Sequence, residues 1–256
     1  MNTQPLIIGH RGASACAPEN TLAAIQAALD AGVDGVEFDV QLACDKVPVV
    51  IHDPTLERTG SRLGNVSEST SMELGKIDVG SWFNSKYPER AISDFALQHV
   101  PTLLQVLELL ENFQGLIYIE LKPNKTNYRE LVKAVCEVLY DSPLLPQIIL
   151  KSFKLAVIPE IKQQLPNVQT AALFEPNIMR LLQRRNQIVT IAREISADQI
   201  SLHHLLITKK FMLLTAFLQI PVTIWTTDDP KWVARSRNLG IRALITNDPA
   251  KLLKYR

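Results

Sequence analysis

Eight short runs of apolar and mostly β-branched residues recur along the chain, separated by segments of a different periodicity. Several runs are almost uninterrupted in apolar residues, as expected of parallel strands that are covered on both faces. We therefore predict strands at these eight places, in chain order: PLIIGH, GVEFDV, GLIYIELK, QIILKSF, VQTAALFE, QISLHH, PVTIWTT and RALITND.

The segments between the runs have the period of an amphipathic helix. One apolar stripe has i, i+3, i+4 and i+7 spacing, at Leu103, Val106, Leu107 and Leu110, and a second stripe crosses residues 131–139. The segment 228–240 has Asp at its start, Pro230 in its first turn and Gly240 just past its end. Strands alternating with helices over this length predict an α/β protein with a (β/α)8 TIM barrel, and a doubly wound open sheet is the alternative.

The alternation fails between residues 53 and 100, where the sequence is loop-rich. Such a long segment is usually a functional insertion or is disordered. Its four aromatic residues argue against disorder: Trp82, Phe83, Tyr87 and Phe95. We predict a single domain over residues 1–256, with the barrel formed by 1–52 and 101–256. The insertion, at about 53–100, would follow the second strand as a small ordered subdomain over one end of the barrel.

Composition excludes several classes of function. A net charge of +1 gives no electrostatic support for non-specific nucleic-acid binding. The three cysteines include no C-x-x-C pair, so they predict neither a disulfide framework nor a zinc site. No apolar run approaches the length of a membrane span, and the N-terminus lacks the pattern of a leader peptide. We expect a cytoplasmic protein that binds no nucleic acid.

Polar residues gather at the ends of the predicted strands. In a (β/α)8 barrel the active site lies at the carboxyl ends of the strands. The polar residues at such ends are His10 and Arg11, Glu37 and Asp39, His52 in the short run VPVVIHD, and Glu120 and Lys122. Because residues i and i+2 of a strand share a face, Glu37 and Asp39 are expected to point the same way, as are Glu120 and Lys122.

The three carboxylates suggest a metal site. Carboxylates that converge without partners would repel one another and raise their pKa values. A hard divalent cation such as Mg²⁺ or Ca²⁺ resolves that conflict, and zinc is less favoured because no cysteine is near. A single Glu-x-Asp pair is usually solvated or salt-bridged, so the prediction rests on the joint placement of Glu37, Asp39 and Glu120 on neighbouring strands.

The remaining polar residues suit a phosphoester. Arg11 can hold two phosphoryl oxygens and Lys122 can add a point charge. Two histidines suit proton transfer to and from ester oxygens. P-loop and dinucleotide fingerprints are missing from the sequence, which disfavours nucleotide-driven transfer. These groups together favour cleavage of a phosphoester at a metal ion.

Three further strand-end residues are weaker candidates. His203 and His204 end the sixth predicted strand, and adjacent strand residues face opposite ways, so at most one is expected to point inward. Ser152 ends the fourth strand, but it lacks the G-x-S-x-G elbow and is not expected to be a nucleophile.

Nine stretches run in order along nearly the whole chain: GHRGASACAPENT, GVEFDVQL, VVIHDPTLERTG, GSWF, VPTLLQVLELL, IYIELK, the Ser152-Phe153 pair, VTIWTTDD and GIRALITNDP. Together they resemble the glycerophosphodiester phosphodiesterase family. The resemblance implies a (β/α)8 barrel with an insertion after the second strand and a divalent metal, usually Ca²⁺ or Mg²⁺. It also implies hydrolysis of glycerophosphodiesters to glycerol 3-phosphate and a free alcohol.

The resemblance also implies a role for individual residues. They are, by role, the metal ligands Glu37, Asp39 and Glu120, the general acid and base His10 and His52, the phosphate contacts Arg11 and Lys122, and Trp225 in the pocket near the glycerol moiety. Two positions depart from the family pattern, since Asp228 replaces a usual Asn and Asn247 stands where Asp is common. We expect these departures to affect substrate preference and not to touch the seven polar residues of the site.

Several alternatives stay open from the sequence. The attacking oxygen is either water or the glycerol 2-hydroxyl, which would form a cyclic phosphate first, and either histidine can be the acid. A lysophospholipase D or sphingomyelinase D-like activity would need an apolar acyl channel. A non-catalytic phosphodiester-binding protein would be expected to lack one of the histidines or carboxylates. The sequence leaves the head group, the metal and the oligomeric state undetermined.

Overall fold

The computed structural model describes residues 4–124, 127–176 and 186–256. Within these residues one sheet contains nine strands: β1 Leu6–His10, β2 Gly35–Leu42, β3 Pro48–Val50, β4 Leu116–Leu121, β5 Ile148–Ser152, β6 Gln169–Phe174, β7 Gln199–His203, β8 Val222–Trp225 and β9 Ala243–Thr246. Eight of them are parallel, in the order β1-β9-β8-β7-β6-β5-β4-β2. Because β1 also pairs with β2, the sheet closes, which confirms the (β/α)8 barrel and excludes the open sheet. The extra strand, β3, runs antiparallel to β2.

Helices follow the barrel strands along the described parts of the chain. The α-helices are α1 Leu22–Asp30, α2 Glu57–Gly60, α3 Ser71–Leu74, α4 Ser81–Lys86, α5 Leu103–Leu109, α6 Tyr128–Leu139, α7 Val157–Gln164, α8 Asn186–Glu194, α9 Lys209–Phe217, α10 Lys231–Leu239 and α11 Pro249–Leu253. The predicted stripe of α5 is buried at Leu103, Val106 and Leu107. Gly240 ends α10 with a φ of 71°, and Asp229 accepts a hydrogen bond from the backbone N–H of Lys231 at its start.

Successive side chains of β2 point alternately to the helices and into the barrel, so one strand contributes both to the core and to the site. Val36, Phe38 and Val40 point outward and pack under the helices, whereas Glu37 and Asp39 point into the barrel. The lower part of the barrel is filled by a compact group: Ile8, Tyr118, Ile149, Ala171, Ala243 and Ile245. The barrel is therefore a packed core that supports the polar residues at its carboxyl end.

The insertion after β3 is ordered. It consists of α2, α3, α4 and short 3₁₀ turns. Phe83 is fully buried, and the rings of Phe95, Trp82 and Tyr87 lie 5.6, 5.9 and 5.0 Å from its ring. This aromatic cluster packs on Ala17 and on Ala24 of α1, so it fastens the insertion to the barrel. A division of the chain at residues 53 and 100 stays our proposal.

The turn after β1 requires a glycine. Gly12 has a φ of +81°, and a Cβ there would lie 2.4 Å from the backbone carbonyl of Ala24 in α1. Gly32 has a similar φ of +75°, but a Cβ there would meet no atom within 4 Å. An alanine at position 32 therefore measures the cost of the positive φ without the cost of a steric clash. We expect Gly12→Ala to lower the free energy of unfolding by about 3 kcal/mol or more, and Gly32→Ala by about 1–2 kcal/mol. Equal losses in urea denaturation would contradict this account of the turn.

Candidate active site

The strand register brings the predicted site residues together. His10 of β1 lies beside Glu37 of β2, and Asp39 lies beside Glu120 of β4. These residues stand at the carboxyl end of the barrel around a cavity of about 290 Å³. Its lining includes seven residues that the sequence singled out: His10, Arg11, Asp39, His52, Glu120, Lys122 and Trp225.

Three buried carboxylates lie close together at this cavity, and two of them, Asp39 and Glu120, line it. Glu37, Asp39 and Glu120 are 0, 1 and 6 % exposed. Each offers one oxygen that lies within 4.8 Å of the oxygens of the other two. An all-carboxylate set of donors matches the preference of Mg²⁺ and Ca²⁺ for oxygen ligands, so these residues fit a divalent cation.

The carboxylates have two cationic neighbours, Lys122 and Lys151, and the sequence analysis did not foresee Lys151. Lys151 of β5 is buried, and its Nζ lies 2.7 Å from Glu37 Oε1 and 3.6 Å from Glu120 Oε2. Nζ of Lys122 lies 3.3 Å from Glu120 Oε1 and 3.6 Å from Asp39 Oδ1. The three carboxylates therefore do not converge without partners. A charged residue inside the apolar run QIILKSF was the available signal for Lys151.

The surroundings of each carboxyl decide the direction of its pKa. Burial acts to raise all three values. For Asp39, the guanidinium of Arg11 and the ammonium of Lys122 outweigh burial and hold its pKa well below the usual range. Lys151 likewise lowers the pKa of Glu37. For Glu120 burial prevails and its pKa is raised. The increase in pKa that repulsion between unpartnered carboxylates would cause is therefore seen for this carboxyl alone.

Arg11 follows β1 and is held at the rim of the cavity. Its backbone N–H donates to Glu37 Oε2 at 3.0 Å, and its Nη1 donates to Glu19 Oε1 at 2.7 Å. Its Nε lies 3.2 Å from Asp39 Oδ2. These contacts engage Nε and one N–H of Nη1, which leaves Nη2 and the second N–H of Nη1 as donors for ligand oxygens.

His52 is oriented by a chain of charged residues. Its Nδ1 lies 2.5 Å from Asp53 Oδ1, and Asp53 Oδ2 accepts a hydrogen bond of 2.5 Å from Arg58 Nε. Both terminal nitrogens of Arg58 donate to Glu19, at 2.8 and 2.7 Å. An ionised carboxylate can only accept, so Nδ1 carries a proton and Nε2 of His52 is the ring nitrogen left for the cavity.

The loop that carries His52 is held by a side chain from inside the barrel. Gln41 of β2 donates through Nε2 to the backbone carbonyls of Ile51, His52 and Asp53, at 3.2, 2.9 and 2.7 Å. Gln41 continues the inward series of Glu37 and Asp39, since it lies at the next i+2 position. It therefore fixes the position of His52 relative to the carboxylates.

His10 is oriented by the two positions that depart from the family pattern. Its Nδ1 lies 2.6 Å from Asn247 Oδ1, and Asn247 Nδ2 donates to Asp228 Oδ2 at 2.7 Å. Because Asp228 accepts from the amide nitrogen, the amide oxygen faces His10, and Nδ1 of His10 is the donor. The expectation that these positions leave the polar site residues untouched is wrong for Asn247. Burial lowers the pKa of His10, although the nearby Glu37 acts in the opposite direction.

An aromatic wall completes the cavity. Trp225 and Phe153 both line it, and their rings meet edge to face at 5.4 Å. His203 packs against Trp225 at 5.1 Å and stacks on His204 at 4.5 Å. Neither histidine is among the residues that line the cavity, which agrees with the prediction that at most one points inward. Their rings can stack because β7 ends at His203 and His204 begins a 3₁₀ turn.

Ser152 has a structural environment. Its hydroxyl is buried, donates to the carbonyl of Leu121 at 2.7 Å and accepts from the backbone N–H of Lys154 at 3.2 Å. These hydrogen bonds join β5 to the end of β4 and to the loop that follows. The environment agrees with the prediction that Ser152 is not a nucleophile.

Comparison with known proteins identifies the family. The model of the glycerophosphoryl diester phosphodiesterase family matches residues 10–251. The chain belongs to this family of hydrolases. The glycerophosphodiester phosphodiesterase of Caldanaerobacter subterraneus subsp. tengcongensis is 30 % identical over 252 residues, which are 97 % of this chain and 96 % of that protein.

Solved structures agree with this membership. A phosphodiesterase of Oleispira antarctica, in complex with its product sn-glycerol-3-phosphate, is 25 % identical with a TM-score of 0.85. The match covers 98 % of this chain and 96 % of that one. A glycerophosphodiester phosphodiesterase of Thermotoga maritima, 23 % identical over 99 % of both chains with a TM-score of 0.76, supports the fold alone. In the described parts of this family member, no helix is both long and apolar enough to cross a membrane.

Proposed function

We propose that this protein hydrolyses glycerophosphodiesters to glycerol 3-phosphate and an alcohol with the help of a bound Mg²⁺ or Ca²⁺. The observation that carries the proposal is the meeting of three buried carboxylates and two oriented histidines around one cavity. Membership of the family and the product bound to the Oleispira antarctica phosphodiesterase support the substrate class. We keep a cytoplasmic location as a sequence-based prediction.

The metal would be held by Glu37, Asp39 and Glu120. When bound, it would supply Lewis-acid stabilisation of the charge on the phosphoryl oxygens. Lys122 lies beside two of these carboxylates and can add a second positive charge at the phosphoryl group. Arg11 lies beside the other oxygen of Asp39, and its Nη2 can contact a further phosphoryl oxygen. These groups neutralise the anion as charge develops in the transition state.

The two histidines would carry the protons. Nδ1 of each ring is engaged by an acceptor, Asn247 for His10 and Asp53 for His52, so each ring keeps its Nε2 for the reacting oxygens. One imidazole takes a proton from the attacking oxygen and the other gives a proton to the departing alcohol. Trp225 and Phe153 would contact the carbon atoms of the glycerol moiety.

The structure favours small substrates over lysolipids. A lysophospholipase D or sphingomyelinase D-like activity would need an apolar channel for the acyl chain. Phe83 and Phe95 are buried between the insertion and α1, and polar or charged residues make up most of the cavity lining. A non-catalytic binding protein is disfavoured because every predicted catalytic and metal-binding residue is present.

The test is to incubate the purified protein with Mg²⁺ or Ca²⁺ and several glycerophosphodiesters, alongside lysophosphatidylcholine. We expect glycerol 3-phosphate from the diesters, measured with glycerol-3-phosphate dehydrogenase, and no choline release from the lysolipid. ³¹P NMR of the same reaction separates direct hydrolysis from a path through a cyclic phosphate. Choline release from the lysolipid alone would favour the lysophospholipase D alternative.

A further inference from the structure

A second cavity, of about 440 Å³, adjoins the first one at His10 and Arg11, which line both. One wall comes from the barrel loops and the other from the insertion. The insertion supplies Arg58, Trp82, Lys86, Tyr87 and Arg90. A phosphoryl group at Arg11 would therefore have space on the insertion side for the alcohol that is esterified to it.

The two carboxylates of the second cavity, Glu19 and Asp228, already accept several hydrogen bonds. Glu19 accepts hydrogen bonds from Nη1 of Arg11 and from both terminal nitrogens of Arg58. Asp228 accepts from the backbone and side-chain nitrogens of Asn247, at 2.8 and 2.7 Å. Glu19 is therefore neutralised by two guanidinium groups, whereas Asp228 keeps its charge but has both oxygens held by neutral donors.

Two cations of the insertion are less compensated. Among the described residues, no carboxylate lies within 4.0 Å of the ammonium of Lys86. Arg90 donates through Nη1 to the carbonyl of Ala15 at 2.5 Å, which fixes it at the cavity, and its partner Glu89 is an exposed residue at 3.3 Å. Since exposed ion pairs are weak in water, the cavity keeps surplus positive charge.

The aromatic faces of the cavity are also occupied by cations. Trp and Tyr faces can recognise a quaternary ammonium group such as choline. Here the Lys86 ammonium lies 5.8 Å from the ring centre of Trp82 and 5.2 Å from that of Tyr87. Arg58 and Arg90 lie 5.9 and 5.7 Å from the same two rings. A cationic head group would meet like charges beside both rings.

We propose that the second cavity is a subsite for a leaving alcohol that carries a negative charge, either a carboxylate or a phosphate. The inference rests on the proposed function and narrows its substrate class. Lys86 and Arg90 provide the donors, since ammonium and guanidinium groups form charge-assisted hydrogen bonds with these anions. Choline and ethanolamine diesters are then the poorer substrates.

Two matched pairs of substrates test the subsite. Glycerophosphoserine differs from glycerophosphoethanolamine by one carboxylate, and glycerophosphoinositol 4-phosphate differs from glycerophosphoinositol by one phosphate. We expect the anionic member of at least one pair to have a kcat/KM about tenfold higher, as one charge-assisted hydrogen bond would give. The pair with the larger ratio identifies the anion.

A variant ties that preference to the cavity. Lys86→Met nearly keeps the length of the exposed side chain and removes its charge. We expect the ratio of kcat/KM between the anionic substrate and its matched partner to fall to about twofold or less. Lys76→Met is the matched control, because Lys76 is an exposed lysine of the same insertion outside the cavity. The ratio should be unchanged in that control.

The outcomes separate the subsite from the proposed function. Turnover without a preference in either pair, or a preference that survives Lys86→Met, would overturn the subsite and leave hydrolysis standing. No turnover of any diester would overturn the proposed function. Calorimetric titration of the same substrates into wild type and Lys86→Met would then test the subsite by affinity. A preference for the anionic substrates that the variant loses would support the subsite, and equal affinities throughout would contradict it.

Discussion

Replacing His52 by asparagine is expected to lower kcat/KM for glycerophosphodiesters by about 10²–10⁴-fold, the usual contribution of a positioned acid or base. The imidazole is the one group that Asp53, Arg58 and Gln41 combine to aim at the cavity. Stability should change little, because the side chain is partly exposed and Asp53 keeps Arg58 as a partner. Steady-state kinetics with urea denaturation on the same samples measures both effects.

Two control variants make this result specific. His99→Asn changes an exposed histidine of the insertion that does not line the cavity, so its activity should match wild type. Asp53→Asn leaves the imidazole in place but weakens its orientation, and we expect a loss of about tenfold, mainly in kcat, with a shifted pH profile. If His52→Asn kept more than a tenth of the wild-type activity, His52 would have no role in proton transfer.

Replacing Glu37 by glutamine is expected to lower the free energy of unfolding by about 3–5 kcal/mol. Lys151 is fully buried against Glu37, with the ammonium 2.7 Å from the carboxylate. The substitution leaves that ammonium without its main counter-charge, since Glu120 is more distant at 3.6 Å. Urea denaturation of the metal-free protein measures the loss without a contribution from metal binding.

A double variant separates charge from packing. Glu37→Gln combined with Lys151→Met removes both charges and keeps side chains of similar length, so we expect most of the lost stability to return. Activity should stay low in the double variant, because a predicted metal ligand is still missing. A single Glu37→Gln variant as stable as wild type would contradict the buried ion pair.

The barrel could be predicted from the sequence because its strands are buried on both faces. Each of the eight parallel strands coincides with an apolar run, and the i, i+2 rule placed Glu37 and Asp39 inside the barrel. The short helices of the insertion could not be predicted, since elements such as α3 are only four residues long and lack an apolar period.

The parts of the site that the sequence does not predict depend on tertiary contacts. Asn247 orients His10 across 237 residues of sequence, and only closure of the barrel brings β9 beside β1. Lys151 lies within an apolar run, and its partners become evident only from the register of β5 beside β4. The alternation of residues along one strand predicts the face on which a side chain lies. It does not predict which residues of other strands contact that side chain.

The most direct test of the metal-dependent mechanism is release of glycerol 3-phosphate by protein treated with EDTA and then supplied with Mg²⁺ or Ca²⁺. Lys122 and Lys151 partly neutralise the carboxylates, so the metal-free protein should remain folded, which circular dichroism checks. We expect turnover to fall by about a thousandfold without metal and to return when it is added. In Glu120→Gln, the same addition should fail to restore turnover. Full turnover by protein verified to be metal-free would contradict the account.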